Sequence, residues 1–164
     1  MTGVQTCALP ICLCVVGRLR AGSERDLIDD YLTRFDRTGR ALGLGPASVI
    51  EVEDKKGGGW SAEAVLLRKA IPDGAFLVTL DERGKVMTSP EFASKLAEWR
   101  DNSQRDVAFV IGGADGISPD LRAEADFSLS FGKMVWPHLL ARVMLTEQLY
   151  RAANILSGGP YHRA

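Results

Sequence analysis

A chain of 164 residues, 46% of them hydrophobic and 25% charged, has the length and composition of one ordinary globular domain. No apolar run reaches the ~18 residues of a membrane span, so no membrane partner is expected. The formal net charge of −1 excludes a uniformly basic nucleic-acid binder. Charge is nevertheless uneven, because from residue 127 onward Lys133, Arg142, Arg151 and Arg163 stand against the single acid Glu147. A local basic region on a weakly acidic body can meet a polyanion on one face, although a solvated helix surface explains the charges alone equally well.

The elements follow in chain order. Residues 13–17 (LCVVG) form a compact apolar run closed by glycine, the pattern of a buried strand. Ser23 is placed to cap a helix whose Leu27, Ile28, Tyr31, Leu32 and Phe35 share one face. A second strand is expected over residues 47–52, a polar connection over 54–59 (DKKGGG) and a helix over 61–70. Residues 75–80 (AFLVTL) read as a third strand and 81–85 (DERGK) as a turn. Ser89-Pro90 opens a helix to Arg100, residues 107–111 make a fourth strand, Ser118-Pro119 starts a short helix, and 126–130 make a fifth strand. Pro137 opens the longest helix, which ends near Leu156 before Gly158-Gly159. Alternating strands and helices predict a single α/β domain, a mostly parallel sheet with helices on both faces.

Ligands of open α/β sheets bind beyond the carboxyl ends of the strands. Three such ends lead into unusual loops: Leu80-Asp81, residues 111–116 (IGGADG) and residues 129–134 (LSFGKM). Any one glycine loop is best read as a tight turn, but three in one small domain point to a ligand held by backbone groups. The Gly-x-Gly-x-x-Gly, phosphate-loop and Gly-x-Ser-x-Gly patterns are missing, and neither His138 nor His162 has an i+4 metal partner. Dinucleotide, triphosphate, hydrolase and zinc-peptidase chemistry are therefore disfavoured, and no metal is expected. Cys7, Cys12 and Cys14 are an odd number without a histidine close in sequence, which argues against a disulfide framework or zinc and for a reducing cytoplasm. In the last helix Arg142, Thr146 and Tyr150 fall on one stripe, opposite Leu140, Val143, Met144 and Leu156. The chain closes on Tyr161, His162 and Arg163, which together offer stacking, proton transfer and phosphate contact.

The runs VTLDERGK, IGGADGISPDLR and LSFGKMVWPHLLARVMLTEQLYRAANILSGGPYHR strongly resemble the RlmH family of 23S rRNA (pseudouridine-N3)-methyltransferases, in the SPOUT superfamily. The similarity runs from about residue 13 to 163; residues 1–12 have no counterpart and look like foreign sequence ahead of the domain. The resemblance implies a C-terminal trefoil knot and a homodimer acting on 23S rRNA, free or within the large subunit or ribosome. It implies S-adenosylmethionine as methyl donor, S-adenosylhomocysteine being the product, held at Leu80, Gly112, Leu129, Ser130, Phe131, Gly132, Lys133 and Met134. Tyr161, His162 and Arg163 would complete the substrate site, the tail of one protomer serving its partner. Within that scheme Arg142 is expected to stabilise the deprotonated imide, His162 to accept its proton or hold the base edge, and His138 to shape the cofactor loop. The competing readings are a related knotted methyltransferase acting on tRNA and a non-catalytic RNA- or nucleotide-binding module.

Overall fold

The computed structural model describes residues 8–102 and 104–163. Strands β1 (Leu9–Val16), β2 (Leu44–Val52), β3 (Phe76–Val86), β4 (Val107–Ile111) and β5 (Phe127–Ser130) alternate with helices α1 (Ser23–Gly39), α2 (Gly59–Ala70), α3 (Ser89–Asp101), α4 (Pro119–Glu124) and α5 (His138–Ser157). The strands form one sheet in the order β2-β1-β4-β3-β5, and every neighbouring pair is parallel. Each strand therefore delivers its carboxyl end to the same edge, as the α/β pattern predicts.

Both faces of the sheet are covered. Leu9, Ile11, Leu13 and Val15 of β1 point to one side, into a core shared with Phe35 of α1, Phe92, Leu96 and Trp99 of α3, and Leu145 and Leu149 of α5. Cys12, Cys14 and Val16 point to the other, against Ala64 and Leu67 of α2 and Leu121 of α4. The period of two in β1 thus feeds two cores. Each large apolar side chain fully buried there contributes about 1.5–3 kcal/mol.

Several local expectations need correction. β1 begins at Leu9 rather than residue 13; residues 1–7 lie outside the described residues. Pro10 hides this in the sequence, since it interrupts the apolar run, and the β1–β2 register shifts between Leu9 and Ile11. The supposed turn over 81–85 belongs to β3. Leu80 and Lys85 both pair with Leu129, so the intervening residues bulge out of a strand that continues to Val86. Ser23 makes no cap bond in α1, and α3 is capped by Thr88 rather than Ser89. Thr88 Oγ1 accepts from Glu91 N while the Glu91 carboxylate accepts from Thr88 N, a reciprocal capping box. Ser118 caps α4 as expected.

The largest departure is the orientation of α5. Its expected polar stripe faces inward: Arg142 and Thr146 are buried beside Leu145 and Leu149. Leu140, expected on the apolar inner face, is exposed, and Val143 and Met144 are only partly covered. A guanidinium inside a core is costly unless its donors find acceptors. The sheet edge supplies them for both terminal nitrogens, while Arg142 Nε has no partner among the described residues.

Candidate functional site

A cavity of about 680 Å³ opens at the carboxyl edge, between the β3 bulge and the loops that follow β4 and β5. Leu80, Gly112, Leu129, Phe131, Gly132 and Met134 line it, so six of the eight residues expected to hold a ligand converge there. Ser130 and Lys133 do not line it. Ser130 Oγ lies behind the wall, where it accepts from Gly132 N at 3.0 Å and sits 3.2 Å from the Glu82 carbonyl, tying the β5 loop to the β3 bulge. Lys133 is exposed.

The glycines play unequal parts. Gly116 and Gly132 have positive φ, and a Cβ on either would meet nothing within 4 Å, so their backbones lie bare to a ligand. Gly112 serves the loop itself: a Cβ there would stand 2.5 Å from the Gly116 backbone. Trp60, Arg122, Val135 and Trp136 also line the cavity and were not anticipated. The signals for them were faint: an aromatic directly after DKKGGG, and an apolar run directly after FGKM. Asp81, almost buried, meets Arg83 Nη1 at 3.2 Å and Arg122 Nη1 at 3.6 Å, which joins the β3 bulge to α4 along the cavity wall.

Of the expected catalytic groups only His138 lines the cavity. Burial, and then the charge of Arg142, hold its pKa below the usual imidazole value, so the ring is neutral near pH 7. Arg142 lies behind it. Arg142 Nη1 donates to Glu51 at 3.0 Å, and Nη2 donates to the carbonyls of Val16 and Gly17 at 2.8 and 2.7 Å. Glu51 also accepts from Leu19 N at 2.6 Å. One guanidinium thus fastens α5 to the ends of β1 and β2.

The tail does not enter the cavity of its own protomer. Gly158 adopts the left-handed conformation and ends α5, after which the chain turns back along the helix. Tyr161 N donates to Asn154 Oδ1, the Tyr161 hydroxyl donates to Glu147, and Arg151 Nη1 donates to His162 Nδ1 at 3.2 Å. The Tyr161 ring packs 4.7 Å from that of Tyr150, with the Arg151 guanidinium 4.8 Å from the Tyr161 ring centroid. Burial, with Glu147 beside it, pushes the Tyr161 phenol up to about 12. Arg163 is exposed.

A parallel sheet with a cavity walled by strand-end segments at its carboxyl edge is the architecture of a ligand-binding α/β protein. A family model described as predicted SPOUT methyltransferase matches residues 9–162, and the chain belongs to that family. It is 74% identical over 151 residues to the ribosomal RNA large subunit methyltransferase H of Ruegeria sp. (strain TM1040), covering 92% of this chain and 97% of that protein. The protein of the same name from Ruegeria pomeroyi is 71% identical over 153 residues, covering 93% and 98%. Among solved structures, a probable methylase family protein from Haemophilus influenzae Rd KW20 superposes with a TM-score of 0.50 at 14% identity, over 94% of this chain and 70% of that one, a likeness of fold.

Proposed function

We propose that this chain methylates N3 of a pseudouridine in 23S ribosomal RNA, with S-adenosylmethionine as donor. The observation that carries the reading is near full-length similarity to proteins named for methylation of large-subunit rRNA. The cavity fits the donor: apolar Leu80, Ile111 and Leu129 share its wall with the acids Asp81 and Asp115, two bare glycine backbones face it, and no phosphate-binding motif adjoins it. Leu80, Gly112, Leu129, Phe131, Gly132 and Met134 would hold the donor, with Ser130 bracing the wall. When bound, S-adenosylmethionine supplies an electrophilic methyl group on a positively charged sulfur.

The residues have to orient the base and ease loss of the N3 imide proton. His138, neutral at the cavity wall, can accept a hydrogen bond there. Arg142 holds the ends of β1 and β2 in place beside His138 and does not itself line the cavity, which makes it a positioning residue. The tail, shut out of its own cavity, would serve the partner of a homodimer, with His162 as proton acceptor and Tyr161 and Arg163 contacting base and phosphate. The exposed Met134, Val135, Trp136 and Leu140, beside a shallow hollow lined by Tyr31, Phe131, Val143 and Met144, support pairing with a second copy. The same reading places the protein in the cytoplasm and includes the C-terminal trefoil knot; the connection from β4 to β5 passes β3, as such a thread requires.

Ribosomes lacking the modification provide the test. Incubation with the protein and S-adenosylmethionine should add one methyl group, which mass mapping assigns to a large-subunit pseudouridine. A methyl group on tRNA or on another nucleotide, or none at all, overturns the assignment.

A further inference from the structure

Basic side chains gather at the carboxyl edge of the sheet as well as toward the C-terminal end. Beyond β1 the chain runs Gly17-Arg18-Leu19-Arg20, and both arginines are exposed. The segment between them is pinned, because Leu19 N donates to Glu51 and the Gly17 carbonyl accepts from Arg142. Beyond β2, Lys55 and Lys56 are exposed on a turn whose acid points inward: the Asp54 carboxylate accepts from Lys56 N at 3.2 Å and Gly58 N at 2.6 Å. Among the described residues none of these four cations pairs with a carboxylate. Glu51 is already matched by Arg142. The acids that remain near this stretch are the exposed Glu53, Asp54, whose carboxylate is taken up by its own turn, and Glu63, whose pKa is pushed up by burial and then by the nearby Asp115 and Asp54.

β1 and β2 are parallel neighbours in register up to Val16 and Val52, so their loops leave the same edge about 5 Å apart. The β1 end also borders the cavity: a Cβ on Gly17 would stand 3.9 Å from His138 Nε2, and His138 lines the cavity wall. On the far side the exposed Lys133 follows β5. From β2 to β5 is four strand intervals, about 19 Å, with the cavity between the two groups of cations.

We propose that Arg18, Arg20, Lys55 and Lys56 form a phosphate-binding rim on which the RNA backbone lies while the target base enters the cavity beside it. The proposal rests on the rRNA reading above and adds the surface that holds the strand. The loop backbones are already anchored, so what is ordered on meeting phosphates is the long side chains alone. Each contact releases counterions, so the rim gives affinity that falls with salt.

The probe is the large ribosomal subunit lacking the modification, titrated with the protein at several salt concentrations. Arg18→Gln with Arg20→Gln, and separately Lys55→Gln with Lys56→Gln, should each weaken binding about tenfold and reduce the slope of log affinity against log salt by about one to two. Uptake of S-adenosylmethionine, measured by calorimetry, and the melting temperature should stay as in the unaltered protein, and Arg18→Lys with Arg20→Lys should restore most of the affinity. Unchanged affinity and slope in both glutamine variants overturn the rim while leaving the rRNA reading intact. An unaltered protein that takes up S-adenosylmethionine but ignores the subunit overturns both.

Discussion

At the scale of single residues, the site separates side chains that face the ligand space from those that build it. Gly112 is a builder. Gly112→Val drives a branched side chain into the Gly116 backbone and Ile117, so both donor binding and the melting temperature should fall. The check is calorimetry beside a thermal melt; a variant that melts like the unaltered protein would mean the loop has slack the contacts deny. From sequence, Gly112 was expected simply to leave room for a ligand. Residue types and their order place the loops, but which glycine packs on which backbone depends on how the loop closes. Ser130 teaches the same lesson, since its hydroxyl turns back to Gly132 and Glu82 and away from the cavity.

At the scale of elements, the strands and helices were legible because their signals are local. β4 is the clearest example: five consecutive apolar residues, all buried between parallel neighbours. The face of α5 was not legible. Its apolar residues nearly encircle the helix, so periodicity leaves the inward face undecided, and the acceptors for Arg142 come from strands more than 90 residues away in sequence. Those acceptors make Arg142 a joint between α5, β1 and β2. Arg142→Met should cost about 3 kcal/mol in urea unfolding, since it strips a charged partner from Glu51 and from two carbonyls. A loss below about 1 kcal/mol would show that the joint bears little of the fold's stability, and Arg142→Lys should fall between the two.

For the whole molecule, the inversion of α5 sets apolar Leu140, Val143 and Met144 outward, and the tail lies along the flank of the same helix, outside its own cavity. A shared site across two copies then makes a specific demand. His162→Ala should abolish methyl transfer with donor binding nearly intact, and Ala141→Phe, which fills the cavity without touching the glycine loops, should abolish donor binding. Mixed dimers of the two variants should recover activity at one of their two sites. Mixed dimers that stay inactive, while both parents fold and pair, would place the tail's action within its own protomer or nowhere. The β3 bulge bears on the molecule in a further way. β5 grips β3 on either side of it, at Leu80 and at Lys85–Val86. The β3–β5 pairing is therefore fixed on both sides of the bulge, which itself rests on β5 and α4 through Glu82, Gly84 and Asp81. Insertion or deletion over residues 81–84 would resize one wall of the cavity at the expense of those contacts, while the strand pairs on either side are kept.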